Sequence, residues 1–313
     1  ACYGQGGMAA TVTDANLVLG RLRPEAFLGG AMTLDTDAAV KAVAGIAAPL
    51  GLEVEEAAAG IIRIVNEHMV QALRVISVQR GVDPREHVLV SFGGAGGLHV
   101  CVLAEALGMQ RALVPVHAGV LSALGMLVAP RARQLSRTRA GLLTDTTEGA
   151  LDEELHILAE QGRLELIAEG IAEAAIECDF SVDLRYQGQS YTLTLPWQGR
   201  ERTQPAFHDA HECRYGHRLN APVELVNIRA SLHGRPPAIA LPKLTVEAGD
   251  PGLPCYVRLS GHAYNVAVWR REGLQAGQCI SGPALITETV ATTYLPAGWH
   301  CRVDDTGNLR LSR

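Results

Sequence analysis

The sequence is short of several things, and each shortage excludes a class. Aromatic residues make up only 4 % of the chain. The seven cysteines, at 2, 101, 178, 213, 255, 279 and 301, form no CxxC pair and are odd in number. That pattern suits reduced thiols in a cytoplasm better than a disulfide frame or a zinc site. The net charge of −6 offers no basic surface, so nucleic acid is not expected as a partner. GxSxG, HExxH and the Lys-Ser/Thr ending of a P-loop are all missing. No basic-then-apolar leader is visible. Only one stretch, 112–130, approaches the ~20 apolar residues of a membrane span. Pro115, Gly119 and Gly125 interrupt it, so it reads as a buried strand followed by a buried helix, with no membrane partner.

At 313 residues two domains are the prior. Gly and Ala are plentiful, as tightly packed α/β layers require. The stretch that organises the first half is 86–116, EHVLVSFGGAGGLHVCVLAEALGMQRALVPV. An apolar run (Val88, Leu89, Val90, Phe92) enters the turn Gly93, Gly94, Ala95, Gly96 and Gly97. A helical pattern from Leu98 to Leu107 follows, then a stop at Gly108 and a second apolar run, 112–116. Together these spell one βαβ unit. Its glycine turn is the candidate cofactor-binding element, because glycines admit a ligand to the backbone and the following helix favours an anionic or polar nucleotide group. GGAGG is neither GxGxxG nor a P-loop. A turn whose glycines only let helix and strand pack closely is the competing reading.

Upstream, ACYGQGGMAATVTDANLVLGRL lacks an initiator Met and places a glycine-rich turn before any element, which reads as an entry into the middle of a fold. Thr13 or Asp14 caps a short helix over 15–22, and Asp35 or Thr36 caps another over 37–48. A third helix is expected over 53–80, its broad apolar face interrupted by Asn66, Glu67 and His68. These three are either locally satisfied polar groups or neighbours of a nucleotide. Small residues at Ala118, Ser122 and Gly125 suit a helix lying close to a neighbour. The basic, proline-led segment PRARQLSRTR at 130–139 is the expected domain boundary, giving domains 1–135 and 136–313.

In the second half, 148–177 reads as an acidic helix with Leu151, Leu155, Leu158, Leu164, Ile167 and Ile171 on its apolar side. Alternation from Phe180 to Tyr186 and again over 190–195 predicts a hairpin. A short helix and loop at 207–217, a strand at 223–233, an extended proline-rich segment at 236–248 and several short strands over 255–311 complete an α+β region with a β-rich end. His208, His211 and His217 have the spacing H-x2-H-x5-H, which matches no standard ligand pattern, so no metal site is assigned. Catalytic residues cannot be named from residue chemistry alone.

Six blocks, TVTDANLVLGRL (11–22), VSFGGAGGLHVCVLAEALG (90–108), VPVHAGVLSALGMLVA (114–129), RYGH (214–217), PVELVNIRA (222–230) and GPALITETVATTYLPAGW (282–299), resemble the hydantoinase A / 5-oxoprolinase family in consistent order over nearly the whole chain. The family includes N-methylhydantoin hydrolases, 5-oxoprolinases and subunits of acetone and acetophenone carboxylases. The resemblance implies an incomplete α/β lobe of the actin/Hsp70/sugar-kinase-like ATPase type, followed by a smaller α+β domain with a β-rich C-terminus. It implies ATP and Mg²⁺ as cofactors, with Gly93, Gly94, Ala95, Gly96 and Gly97 at the adenosine. It further implies a cyclic amide substrate, phosphorylated on its oxygen and opened by water, and a hetero-oligomer with a hydantoinase B-type subunit. A carboxylase ATPase subunit and a non-catalytic assembly module are the alternatives. The family usually has Pro where this chain has Gly97, a change expected to loosen the turn. The DxGGT-like phosphate turns of such ATPases are absent from these 313 residues, so the Mg²⁺ and phosphate ligands are not among them and little ATPase activity is expected of the chain alone.

Overall fold

A computed structural model describes residues 1–236 and 252–313 and divides the chain into two compact units, 1–124 with 241–313, and 125–240. The proline-rich segment expected at 236–248 lies almost wholly outside the described residues.

The first unit opens with three helices, α1 (Val12–Val18), α2 (Thr36–Leu50) and α3 (Val54–Ile76). The cap of α1 is Thr11, earlier than expected, in a reciprocal capping box with Asp14. Asp35 caps α2 through the Ala38 N–H. Ala15, Leu19, Val43, Ala47, Ala58 and Ile62 form the core that these helices share. The long pattern in α3 ends at Ile76, and a separate 3₁₀ turn covers Val78–Arg80. Next come β1 (Leu89–Val90), α4 (Val100–Ala106) and β2 (Arg111–Val114), with β1 and β2 parallel as the βαβ reading requires. The helix α5 (Leu121–Val128) follows. It has no buried residue, and Met126 and Leu127 are strongly exposed, so the buried helix expected there is not formed. Apolar composition over two turns does not by itself supply a partner surface.

The second unit holds β3 (Ala132–Leu142), α6 (Glu148–Ala168), β4 (Ile176–Tyr186), β5 (Leu193–Pro196), α7 (Arg200–Tyr215) and β6 (Val223–Gly234). Its sheet runs β3-β6-β4-β5, all neighbours antiparallel. The segment expected as a linker at 130–139 is mostly strand β3, whose polar residues suit an edge strand with one wet face. The buried positions of α6 are Leu151, Leu155, Leu158, Ala159, Gly162 and Leu166, whereas Leu164 and Ile167 are exposed. The face is rotated from the expected one because Gly162 lies on it. A Cβ there would stand 2.6 Å from Leu232 Cδ1, so the sheet's own leucine fills the position.

The chain then returns to the first unit with β7 (Cys255–Val257), β8 (Val266–Arg270), β9 (Cys279–Ser281), β10 (Ala284–Glu288), β11 (Ala291–Leu295), β12 (His300–Val303) and β13 (Leu309–Ser312). These strands do not extend the α+β domain as the 136–313 assignment supposed. β13 pairs with β2, giving the sheet β1-β2-β13-β12-β9, and a second sheet runs β11-β10-β8-β7. Sequence order concealed this, because the pairing joins Ala112 to Leu311. Val100, Val114, Leu295, Trp299 and Leu311 meet in the resulting core.

Candidate functional site

β1 and β2 run parallel, so the turns after them, 91–97 and 115–119, emerge side by side at their carboxyl ends, where open α/β sheets bind ligands. The Gly93 N–H donates to Ala118 O at 2.7 Å, tying one turn to the other. Gly93 has φ of +88°, which favours glycine. The other glycines are there for space. A Cβ on Gly94 would stand 2.8 Å from Val290 O, and one on Gly119 2.5 Å from Val290 Cγ2. On Gly96 it would meet Ser91 Oγ at 2.7 Å, and on Gly97 Thr293 Oγ1 at 2.5 Å. The β10–β11 hairpin therefore presses directly onto both turns, and the Thr292 N–H donates to Gly94 O at 3.1 Å. Gly97 is buried in this contact, not slack as expected from the absent proline.

The turn does not deliver a helix N-terminus to a phosphate. A 3₁₀ turn, Gly96–Leu98, intervenes, and α4 starts at Val100. The N–H groups of Gly96, Leu98 and His99 donate to Gly93, Ala95 and Gly96 carbonyls. Close packing thus accounts for Gly96 and Gly97. Of the small residues expected to lie close to a neighbour, Ala118 is buried in the core, Ser122 and Gly125 are exposed, and Gly119 adds a close contact with Val290.

Gly94 and Ala95 do border a cleft of ≈ 230 Å³, together with Thr13, Leu22, Phe27 and the hairpin residues 287–292. Leu22 and Phe27 offer apolar surface, Thr13, Thr287 and Thr292 hydroxyls, and Glu288 a carboxylate. Arg271 holds that carboxylate: its guanidinium donates to Glu288 Oε1 at 2.8 Å, to Val114 O at 3.0 Å and to Gly307 O at 3.1 Å. Both side chains are almost buried, at 9 % and 12 % exposure, so Glu288 is a fixed feature of the wall. Sequence reasoning missed this pair. Glu288 lies inside the quoted block 282–299, but its partner sits in an unremarkable loop seventeen residues earlier.

The cleft is smaller than the roughly 300–1,000 Å³ usual for drug-sized ligands, so it suits a nucleoside or a small ring more than a whole triphosphate. Its apolar, hydroxyl and carboxylate lining fits an adenosine. It does not fit Mg²⁺, since its one carboxylate is already paired with Arg271.

The polar residues of α3 separate. Asn66 is buried and its Oδ1 lies 2.7 Å from His99 Nδ1. Burial, then the charge of Arg21, hold His99 below the usual histidine range, so the ring is neutral at pH 7. Glu67 and His68 are exposed, Glu67 accepting from Gln71. In the second unit the Tyr186 hydroxyl bonds His208 Nδ1 at 2.7 Å, His211 Nδ1 donates to His217 O at 2.9 Å, and the Gln189 side-chain N–H donates to His211 Nε2 at 3.2 Å. The three histidines are thus parts of an aromatic packing cluster around Tyr186. Among the described residues no group of three or more His, Cys, Asp or Glu is placed to hold a metal ion, and no helix is long and apolar enough to cross a membrane.

Residues 1–134 match the family model described as hydantoinase/oxoprolinase. That segment belongs to the hydantoinase/oxoprolinase family. Over 99 % of its length it is 35 % identical to the caprolactamase subunit alpha of Pseudomonas jessenii, of which it covers 47 %. It is 28 % identical to the 5-oxoprolinase of Dictyostelium discoideum, covering 26 % of that protein, and 27 % identical to the acetone carboxylase beta subunit of Xanthobacter autotrophicus, covering 46 %. Among solved structures, the ATP-dependent caprolactamase of Pseudomonas jessenii superposes with a TM-score of 0.83 at 34 % identity, over 99 % of this chain and 48 % of that one. A nucleotide-free acetone carboxylase gives 0.73 at 24 % identity, over 99 % of this chain and 47 % of that one, a likeness of fold. The chain spans about half the length of the caprolactamase and acetone carboxylase subunits that it matches.

Proposed function

We propose that this chain forms the adenosine-side wall of an ATP-dependent enzyme that opens a cyclic amide, within a lobe of the actin/Hsp70/sugar-kinase type. The observation that carries the reading is the cleft beside Gly94 and Ala95, at the carboxyl ends of two parallel strands, in a chain 35 % identical to a caprolactamase subunit. Gly93 and Gly94 bring the backbone to the ligand, and the hairpin presses on them from behind. Leu22 and Phe27 take the base; Glu288, fixed by Arg271, accepts from the ribose hydroxyls. Bound ATP would supply a phosphoryl group to the amide oxygen, which would make the amide carbon electrophilic; water would add there, the C–N bond would break with the nitrogen taking the proton, and hydrolysis of the resulting acyl phosphate would leave a carboxylate and inorganic phosphate. The chain's residues hold and orient the nucleoside. The phosphate and Mg²⁺ ligands are not among them, and the catalytic assembly includes a further polypeptide segment or a second subunit of the hydantoinase B type.

The test is calorimetric titration of the chain with adenosine, then steady-state phosphate release with Mg²⁺-ATP and caprolactam, 5-oxoproline or hydantoin. Measurable adenosine binding with negligible ATPase in the chain alone is the expected result. Turnover comparable to that of a full-length relative would show that the phosphate ligands are here after all. A carboxylase subunit is the second reading, supported by the 27 % identity to the acetone carboxylase beta subunit over 97 % of this chain. Ketone-dependent ATP consumption with bicarbonate, in place of amide-dependent consumption, would select it.

A further inference from the structure

The chain end of α1 is built to hold one side chain in place. Gly20, at φ +75°, donates to Leu17 O, and the Arg21 N–H donates to Asn16 O, both at 2.9 Å, closing the helix with a Schellman turn. The loop 258–265 packs against this end: the Ser260 N–H donates to Leu19 O, and a Cβ on Gly20 would stand 3.2 Å from Arg258 O. Backbone freedom at Arg21 is thereby removed from both sides.

The Arg21 guanidinium lies over the ring of Tyr294, 4.6 Å from its centroid. The Tyr294 hydroxyl is 3.0 Å from His262 Nε2, which leaves His262 Nδ1 without a partner among the described residues. His99, buried on Asn66, likewise leaves its Nε2 without one. Arg23 has Glu25, Arg229 has Asp183 and Arg271 has Glu288. Arg21 is part-buried, yet among the described residues no carboxylate or hydrogen-bond acceptor reaches its guanidinium. Burial and the Arg21 charge keep both histidines below their ordinary range, so neither ring adds charge at pH 7 and neither removes any. The guanidinium is part-buried against the Tyr294 ring and its N–H groups are not among the buried unpartnered atoms, so they stay open to a ligand from solvent. The Arg21 side chain stands apart from the cleft, which is lined by the next two residues, Leu22 and Arg23.

We propose that Arg21, with His262 and Tyr294, binds a small oxyanion, a carboxylate or phosphate group. The planar fork of a guanidinium binds either group through two parallel hydrogen bonds; with the Tyr294 hydroxyl donating to His262 Nε2, the His262 Nδ1–H, on a ring whose centroid is 6.3 Å from that of Tyr294, is the third donor of the proposal. The site does not depend on nucleotide binding in the cleft.

The test is calorimetric titration of the chain with inorganic phosphate and, separately, with acetate, at constant ionic strength in chloride. Saturable binding of at least one of the two is expected, about tenfold weaker in Arg21→Gln, the loss of one charged, bidentate contact. His262→Gln should weaken it several-fold, and Arg302→Gln, at an exposed position of β12, should leave it unchanged. If Arg21→Gln does not fold, Arg21→Lys, which keeps the charge and loses the fork, and His262→Gln decide. Equal affinity in these variants and the original chain, or no heat above chloride for either anion, would overturn the proposal. The stronger of the two titrations identifies which group the site takes.

Discussion

Gly97 and Thr293 stand so close that a single methyl group on the glycine would lie 2.5 Å from the threonine Oγ1 and 2.9 Å from its Cα. The contact joins the glycine turn to β11. Because the obstacles include the Thr292 carbonyl at 2.7 Å, rotating a side chain cannot relieve them. Gly97→Ala should therefore destabilise by about 1–3 kcal/mol through overpacking. Gly125→Ala, in an exposed helix with nothing within 4 Å of the new methyl, should instead stabilise by about 0.5–1 kcal/mol. Denaturant melts of the two variants check both signs.

Removing Arg271 leaves Glu288 almost buried and unpaired. Arg271→Ala should cost about 3–5 kcal/mol, as expected when one partner of a buried pair is deleted, whereas a double change to Met and Gln should recover much of it. Thermal unfolding reads the stability. Adenosine titration of the surviving variants reads whether Glu288 has shifted in the wall.

In the second unit Asp183 is buried on β4 beneath Arg229, Thr194 and Asn227. Burial alone would raise its carboxyl; the hydrogen bonds from Arg229, Thr194 and Asn227 outweigh it and hold the group below the usual carboxylate range. A depressed carboxyl contributes stability above its unfolded value, near 3.9, and loses it as pH falls from there through the folded value. Stability of this unit should therefore fall below about pH 4, and Asp183→Asn should flatten that dependence while lowering stability at pH 7. Urea melts between pH 3 and 7, monitored by Trp197, test it. A slope unchanged in the variant would show that other carboxyls carry the acid sensitivity.

Thiol chemistry should follow burial. Cys213, Cys255 and Cys279 are exposed, while Cys2, Cys101 and Cys301 are buried. Burial pushes the Cys2 and Cys301 thiols up to about 12 and raises Cys101 as well. A thiol-reactive dye should label the exposed three quickly and the buried three only on unfolding. Peptide mapping after a short exposure would reveal any exception.

What the sequence made legible was local. The βαβ order around 86–116, the cap at Asp35, and the hairpin of β4 and β5 are written in short-range periodicity and turn residues. The rotated face of α6 was hidden because its core position at 162 is a glycine filled by Leu232 from another strand. β3 was hidden because an edge strand needs few apolar residues. The glycine turn looked like a ligand cradle, yet Gly96 and Gly97 answer to the β10–β11 hairpin. Its two contacts with the cleft, Gly94 and Ala95, became distinguishable only once Val290 and Glu288 were seen across from them. No local pattern could announce a partner almost two hundred residues away.

That distance also sets a timetable. β2 is flanked by β1 on one side and by β13 on the other, so its sheet lacks its centre until the last residues of the chain arrive. The 125–240 unit has all its strands in hand well before then. During synthesis at ~5–20 residues per second, β2 waits with an open edge for about 10–40 s before its neighbour emerges, while the unit between them is already able to close. Trimming β13 would leave β2 in that unfinished condition permanently, so a C-terminal deletion of a few residues should send the nascent chain to aggregation rather than to a slightly smaller fold.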